Sequence, residues 1–235
     1  MPESLSIPRR FNGPLESGQG GYVAGLVSGF LDGVAEVSLR RPVPLETPLE
    51  LVFEDDGSVG VVDGETLVAE GRGVSGVEAE VPAPVSPSEA HAAAERYRGP
   101  PDGLFSRCFV CGPAREDAFG VFAGTVEGRE VVASPWTPPE WAADANGEVL
   151  PEFVWAVLDC PTYFALYMDG DLPMSVLGRL TARLDAPVVA GTEHVVIAWP
   201  IEIEGRKHHA GAAVLSGDGE PLAVARALLI APPQR

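Results

Sequence analysis

Two distant stretches of this chain are written on one template, and that limits the folds open to it. The first is Gln19-Gly20-Gly21-Tyr22-Val23-Ala24-Gly25-Leu26-Val27-Ser28-Gly29-Phe30-Leu31. The second is Leu150-Pro151-Glu152-Phe153-Val154-Trp155-Ala156-Val157-Leu158-Asp159-Cys160-Pro161. With Gly20 laid on Pro151, the apolar positions coincide. The polar ones differ: Gly20-Gly21 becomes Pro151-Glu152, and Ser28 becomes Asp159. The match continues through Ser38–Val43 with Arg183–Val188, Thr47 with Thr192, Leu51 with Val196 and Val52 with Ile197. It ends on Asp63-Gly64-Glu65-Thr66-Leu67 with Asp218-Gly219-Glu220-Pro221-Leu222. The separation between matched residues grows from 131 (Gly20 to Pro151) to 145 (Ser38 to Arg183) and 155 (Asp63 to Asp218). Order is kept while the second copy gains residues, which is a tandem duplication of a whole domain.

Each copy reads as one helix followed by an antiparallel meander. Tyr22, Val23, Leu26, Val27 and Phe30 share one face at helical spacing, so a helix is expected over 20–31, and its counterpart over 151–168. Gly25 and Gly29 weaken the first helix unless another backbone packs closely there. Strands are expected over 4–7, 35–43, 49–54, 59–62 and 66–74 in the first copy. In the second they are expected over 120–126, 130–134, 175–188, 194–203, 207–215 and 222–230, after a loop over 135–147. Asp55-Asp56-Gly57 and Asp63-Gly64 are hairpin turns. Three prolines between Val81 and Pro87 mark a linker, and Ser86-Pro87-Ser88-Glu89 opens a short helix near 90–97 with a capping-box pattern. The expected class is α+β, with a first repeat over 1–85, a linker with a short helix over 86–106 and a second repeat over 107–235.

Composition narrows function. A net charge of −18 argues against nucleic acid and against anionic membrane surfaces. No apolar run approaches the ~18 residues of a membrane span. The three cysteines make no secreted disulfide framework, so a cytoplasmic protein is expected.

A central helix wrapped by an antiparallel sheet, occurring twice, resembles the hot-dog fold in tandem, two domains packed as a pseudo-dimer. Gln19-Gly20-Gly21 followed by Leu26-Val27-Ser28 resembles the His-Gly-Gly helix start of phenylacetate-pathway-type acyl-CoA thioesterases. That family carries an Asp nine residues after the His. Asp159, nine residues after Leu150, falls on that catalytic position, although the His is absent from both copies. Cys108-Phe109-Val110-Cys111-Gly112 ahead of Phe119-Gly120-Val121 is similar to a Cys-x-x-Cys-Gly opening in hot-dog thioesterase relatives, without their Asn. In such enzymes the helix start and the carboxylate come from different copies. The resemblance therefore implies one complete site, Gly20 and Gly21 as backbone oxyanion donors with Asp159 as nucleophile or general base. The symmetry-related pairing of Ser28 with Pro151-Glu152 would be degenerate. It implies an acyl thioester of coenzyme A or a carrier as substrate, no separate cofactor, and allows a homodimer of double units. A non-catalytic acyl-thioester binding protein with eroded sites is the alternative.

The residues themselves support both sharper and plainer readings. A helix start offers free N–H groups, and glycine admits a close carbonyl; the same glycines also suit a loop or a helix contact. A lone carboxylate among Val154, Trp155, Val157, Leu158 and Phe164 is costly unless it is paired, solvated or functional. Asp159-Cys160-Pro161 also reads as a cap restarting a kinked helix. Gln19, Ser28 and Glu152 are further candidate substrate contacts, Glu152 having also a helix-dipole explanation. Arg206-Lys207 is a basic pair that would suit coenzyme A phosphates or simply a solvated hairpin. Cys108 and Cys111 lack a second Cys pair, and Cys160 and the scattered histidines show no ligand spacing, so no metal is expected.

Overall fold

The computed structural model describes residues 4–99, 101–170 and 174–231. The first half runs β1 (Ser4–Leu5), α1 (Gly20–Ser28), β2 (Ala35–Leu39), β3 (Leu49–Phe53), β4 (Val59–Asp63) and β5 (Thr66–Gly73). Helix α2 (Pro87–Ala94) follows. The second half runs β6 (Gly124–Thr125), β7 (Val132–Trp136), α3 (Pro151–Leu166), β8 (Val176–Leu184), β9 (His194–Glu204), β10 (Lys207–Leu215) and β11 (Pro221–Ile230).

The strands form a single antiparallel sheet in the order β1-β3-β4-β5-β2-β8-β11-β10-β9-β7-β6. Read outward from the middle, β2-β5-β4-β3 mirrors β8-β11-β10-β9, so the duplication is a pseudo-two-fold. Its axis crosses the β2–β8 pair. Glu36 lies opposite Thr181, and these two are equivalent in the repeat, since Ser38 matches Arg183 with the same separation of 145. The β4–β5 and β10–β11 hairpins carry the matched Asp-Gly turns, with Gly64 and Gly219 at positive φ as such turns require. The extra residues of the second copy lengthen β9 and β10 around Gly205.

Both long helices begin on the residues that the repeat aligns, one step past Gln19 and Leu150. They pack against each other inside the sheet, and glycine sets their separation. A Cβ on Gly21 would lie 2.5 Å from the Trp155 carbonyl oxygen, and one on Gly25 would lie 2.4 Å from the Glu152 Cα. Helix α1 stops at Ser28, short of the expected Leu31, where Gly29, Phe30 and Leu31 tighten into a last turn. Helix α3 does not restart at Pro161; it runs through that residue, whose ring is buried in the core.

The expected loop over 135–147 holds a third match between the copies. A short 3-10 turn at Arg9–Phe11 after Pro8 recurs at Glu140–Ala142 after Pro139. Phe11 O accepts from Gln19 N, and Ala142 O accepts from Leu150 N, each at 2.9 Å. Trp141 and Phe11 stack, with the Arg10 guanidinium over the Trp141 ring. The strand expected over 120–126 shrinks to Gly124–Thr125. The chain before it is irregular and buried, threading Cys108–Cys111 and Val121 through the core. Strand β7 includes Pro135, which the short β6 leaves unpaired on that side. No helix among the described residues is long and apolar enough to cross a membrane.

Candidate active site

The start of α1 and the middle of α3 meet at one carboxylate. Asp159 Oδ2 accepts the Gly21 backbone N–H at 2.9 Å and the Gln19 side-chain amide at 2.7 Å. Its side chain therefore reaches across to the other copy and does not cap its own helix. Both bonds end on Oδ2, so Oδ1 has no hydrogen bond among the described residues. Gln19 is the hinge of this arrangement. Its Oε1 caps α1 by accepting from Tyr22 N at 2.6 Å, while its Nε2 also reaches the Ala156 carbonyl. The α1 N-terminus supplies positive potential here. Gly20, next in the first turn, has no acceptor for its N–H among the described residues and lines the adjoining pocket.

That pocket is a cavity of about 430 Å³ with mainly apolar walls. Gln19, Gly20 and Leu39–Val43 come from the first copy; Asp159, Cys160, Tyr163 and Phe164 come from α3. Burial pushes the Asp159 pKa up to about 7, only partly offset by the Gly21 N–H, and the neighbouring Cys108 sulfur acts in the same direction as burial. A carboxyl so placed exchanges its proton near neutrality, which is the range a general base needs.

The pseudo-two-fold produces a second hollow of about 350 Å³. Leu150, Pro151 and Leu184–Val188 line it, the counterparts of Gln19, Gly20 and Leu39–Val43. No α1 residue reaches it. Ser28, in the position matching Asp159, turns its hydroxyl back to the Gly25 carbonyl at 2.8 Å. Glu152 is half-buried against Gly25 and lines neither hollow.

Gly21 also lies outside the lining, pressed against α3 with its N–H held by Asp159. Arg206 and Lys207 are exposed on the β9–β10 hairpin and line neither hollow, and Arg206 donates to the Ala231 carbonyl at 2.9 Å. The cations on the pocket rim are Arg40 and Arg41, the former paired with Glu70. Sequence reasoning passed over them because the repeat sets them opposite Asp185 and Ala186, with no charge in common. It also gave Cys160 no partner. In the structure Cys160 joins Cys108 and Cys111, their three sulfurs all within 4.8 Å of one another and all on the pocket wall.

No protein-family model matches the chain, and no curated protein matches it. Solved structures do. The Mycobacterium avium subs paratuberculosis tesB protein is 16% identical, with a TM-score of 0.57, over 91% of this chain and 87% of that one. A conserved protein of unknown function with a hot dog fold from Alicyclobacillus acidocaldarius is 12% identical, with a TM-score of 0.63, over 99% and 93%. A Novosphingobium aromaticivorans protein, described provisionally as a thioesterase, is 12% identical, with a TM-score of 0.63, over 98% and 95%. At these identities the likeness establishes the fold. The chain is a tandem hot-dog. Its Asp159 pocket lies where the two repeats meet.

Proposed function

We propose that the Asp159 pocket hydrolyses acyl thioesters, with acyl-CoA as the substrate class, in the manner of the phenylacetate-pathway-type thioesterases that the helix start resembles. One observation carries this reading: a carboxylate from the second repeat is held against the glycine helix start of the first, at the wall of an apolar cavity. The acyl chain occupies the apolar cavity, and the thioester carbonyl lies at the start of α1. The Gly20 N–H, backed by the helix dipole, receives the developing oxyanion. Asp159 Oδ1 acts as base toward a water or as nucleophile toward the carbonyl, while Gln19 and Gly21 hold Oδ2. The coenzyme A sulfur then leaves with the proton taken from water, or, in the nucleophile route, leaves an acyl–Asp159 anhydride that water hydrolyses; Arg41 at the rim meets the coenzyme's phosphates. The provisional description of the Novosphingobium protein agrees with this reading.

The test is release of free coenzyme A thiol from a panel of short, long and aromatic acyl-CoA esters. Asp159→Asn keeps the side chain's shape and is expected to cost about 10²–10⁴ in kcat/KM. Equal turnover by variant and wild type would remove Asp159 from the chemistry. Binding of acyl-CoA without turnover by wild type would replace hydrolysis with carriage.

A further inference from the structure

We propose that Cys108, Cys111 and Cys160 form a binding site for a thiophilic divalent cation of the zinc class, with a fourth coordination position open to the pocket. Three observations carry it, none depending on hydrolysis. The first is geometry. Tetrahedral thiolate zinc has metal–sulfur bonds of about 2.3 Å, which sets sulfurs about 3.8 Å apart. The Cys108 and Cys160 sulfurs lie 3.8 Å apart, and no pair of the three exceeds 4.8 Å. The second is the loop. Cys108-Phe109-Val110-Cys111-Gly112 is a tight knuckle: a Cβ on Gly112 would lie 2.5 Å from the Cys108 nitrogen and oxygen. The Gly112 N–H donates to the Cys108 carbonyl at 2.8 Å and closes the turn.

The third is the donor shell. Gln19 Nε2 approaches the Cys160 sulfur at 3.5 Å. The Tyr97 hydroxyl lies against Cys111, donating to its carbonyl at 2.6 Å. Two of the three cysteines thus have a polar side chain beside them. Outer groups of this kind orient ligands around a metal. A buried thiolate with no cation is costly; a bound cation removes that cost. Soft sulfur ligands select zinc or copper(I) over magnesium or calcium. Three protein ligands with the pocket beside them leave the fourth position for water or for a pocket ligand. On binding, the cation takes the thiolate form of all three residues, and the thiol protons pass to solvent.

The experiment uses the full chain, purified with a non-thiol reductant, stripped with a chelator and titrated with Co²⁺. The expected result is one Co²⁺ per chain, a sulfur-to-cobalt charge-transfer band with intense tetrahedral d–d bands, and displacement by one equivalent of Zn²⁺. Cys111→Ser and Cys160→Ser are each expected to weaken binding roughly 100-fold or more. Should either variant fail to fold, the wild-type spectrum decides alone. Asp159→Asn is expected to lose hydrolysis yet still give the sulfur-to-cobalt and tetrahedral bands, so loss of hydrolysis and loss of the metal site are told apart. Two outcomes overturn the proposal. One is the absence of a charge-transfer band, with all three thiols reacting equally fast with and without Zn²⁺. The other is a Cys108–Cys160 disulfide in the reductant-treated protein.

Discussion

Removing the charge from Asp159 is expected to make the folded protein more stable above neutrality while removing its activity. The folded-state pKa of this carboxyl is about 7, against an ordinary 3.8. Between these values the native state holds a proton that the unfolded chain has released. Stability therefore falls as pH rises from about 4 to about 7, and stays low above that. The gap is about three pH units at ~1.4 kcal/mol each, or ~4 kcal/mol. The carboxylate opens onto the pocket, so water recovers part of this and about 2–4 kcal/mol remains. Asparagine does not titrate, and its amide oxygen can take the place of Oδ2, accepting from both Gly21 N–H and Gln19 Nε2. In a chain of 235 residues each kcal/mol shifts Tm by roughly 2–4 °C. Asp159→Asn is therefore expected to melt roughly 5–15 °C higher at pH 8 and within about 3 °C of wild type at pH 4.5. The assay is calorimetry of both proteins from pH 4.5 to 8.5, with chelator present so that no cation sits beside the carboxyl. Equal melting at pH 8, or a gap that does not close on acidification, refutes the argument that burial dominates this site.

Other substitutions separate packing from chemistry. Gly21→Ala gains up to ~1 kcal/mol of helix propensity, but its Cβ meets the Trp155 carbonyl oxygen at 2.5 Å and the Asp159 Cβ at 2.7 Å. Those neighbours are backbone or close to it, so overpacking of about 1–3 kcal/mol outweighs the gain. Lower Tm and lower hydrolysis are expected together, and an unchanged melting curve refutes this. Ser28→Ala loses only a bond to its own helix; kcat/KM is expected to stay within about twofold, and a tenfold loss would make the second hollow functional. Arg41→Glu is expected to raise KM for acyl-CoA with kcat little changed, the mark of uniform binding loss. Arg206→Glu with Lys207→Glu is expected to leave both constants as they are, and a raised KM there would move the phosphate contact to the β9–β10 hairpin.

Part of the candidate site was legible because it lies at helix starts, where residue type and position are tightly coupled. Gln19 caps α1, and the glycines bring its first turn against α3. The resemblance to the His-Gly-Gly thioesterases pointed to Asp159 as the carboxylate, and the structure brings it against that helix start. What escaped is local structure without shared residue types. Arg9-Arg10-Phe11 and Glu140-Trp141-Ala142 have nothing in common but the preceding prolines, yet both form the same 3-10 turn, because backbone hydrogen bonds to Gln19 and Leu150 hold them. Strand ends moved for a similar reason: the β propensity of 120–126 yields to the burial of the chain before it. Asp159 itself was open to a capping role in one dimension, and only the continuous α3 and the opposing α1 removed it.

The sequence by itself determined the duplication, the two central helices, the hairpin turns and the asymmetry between the copies, because periodicity, capping and turn chemistry act over a few residues. Tertiary structure alone decided three things. The two sheets join edge to edge through β2 and β8, since strand edges pair by register, and only the assembled backbone sets which edges meet. The cations at the pocket rim are Arg40 and Arg41, because β2 ends there while the β9–β10 hairpin projects away. Cys160 meets Cys108 and Cys111 because α3 runs on through Pro161 beside a buried knuckle, a convergence of distant segments to which no sequence spacing corresponds.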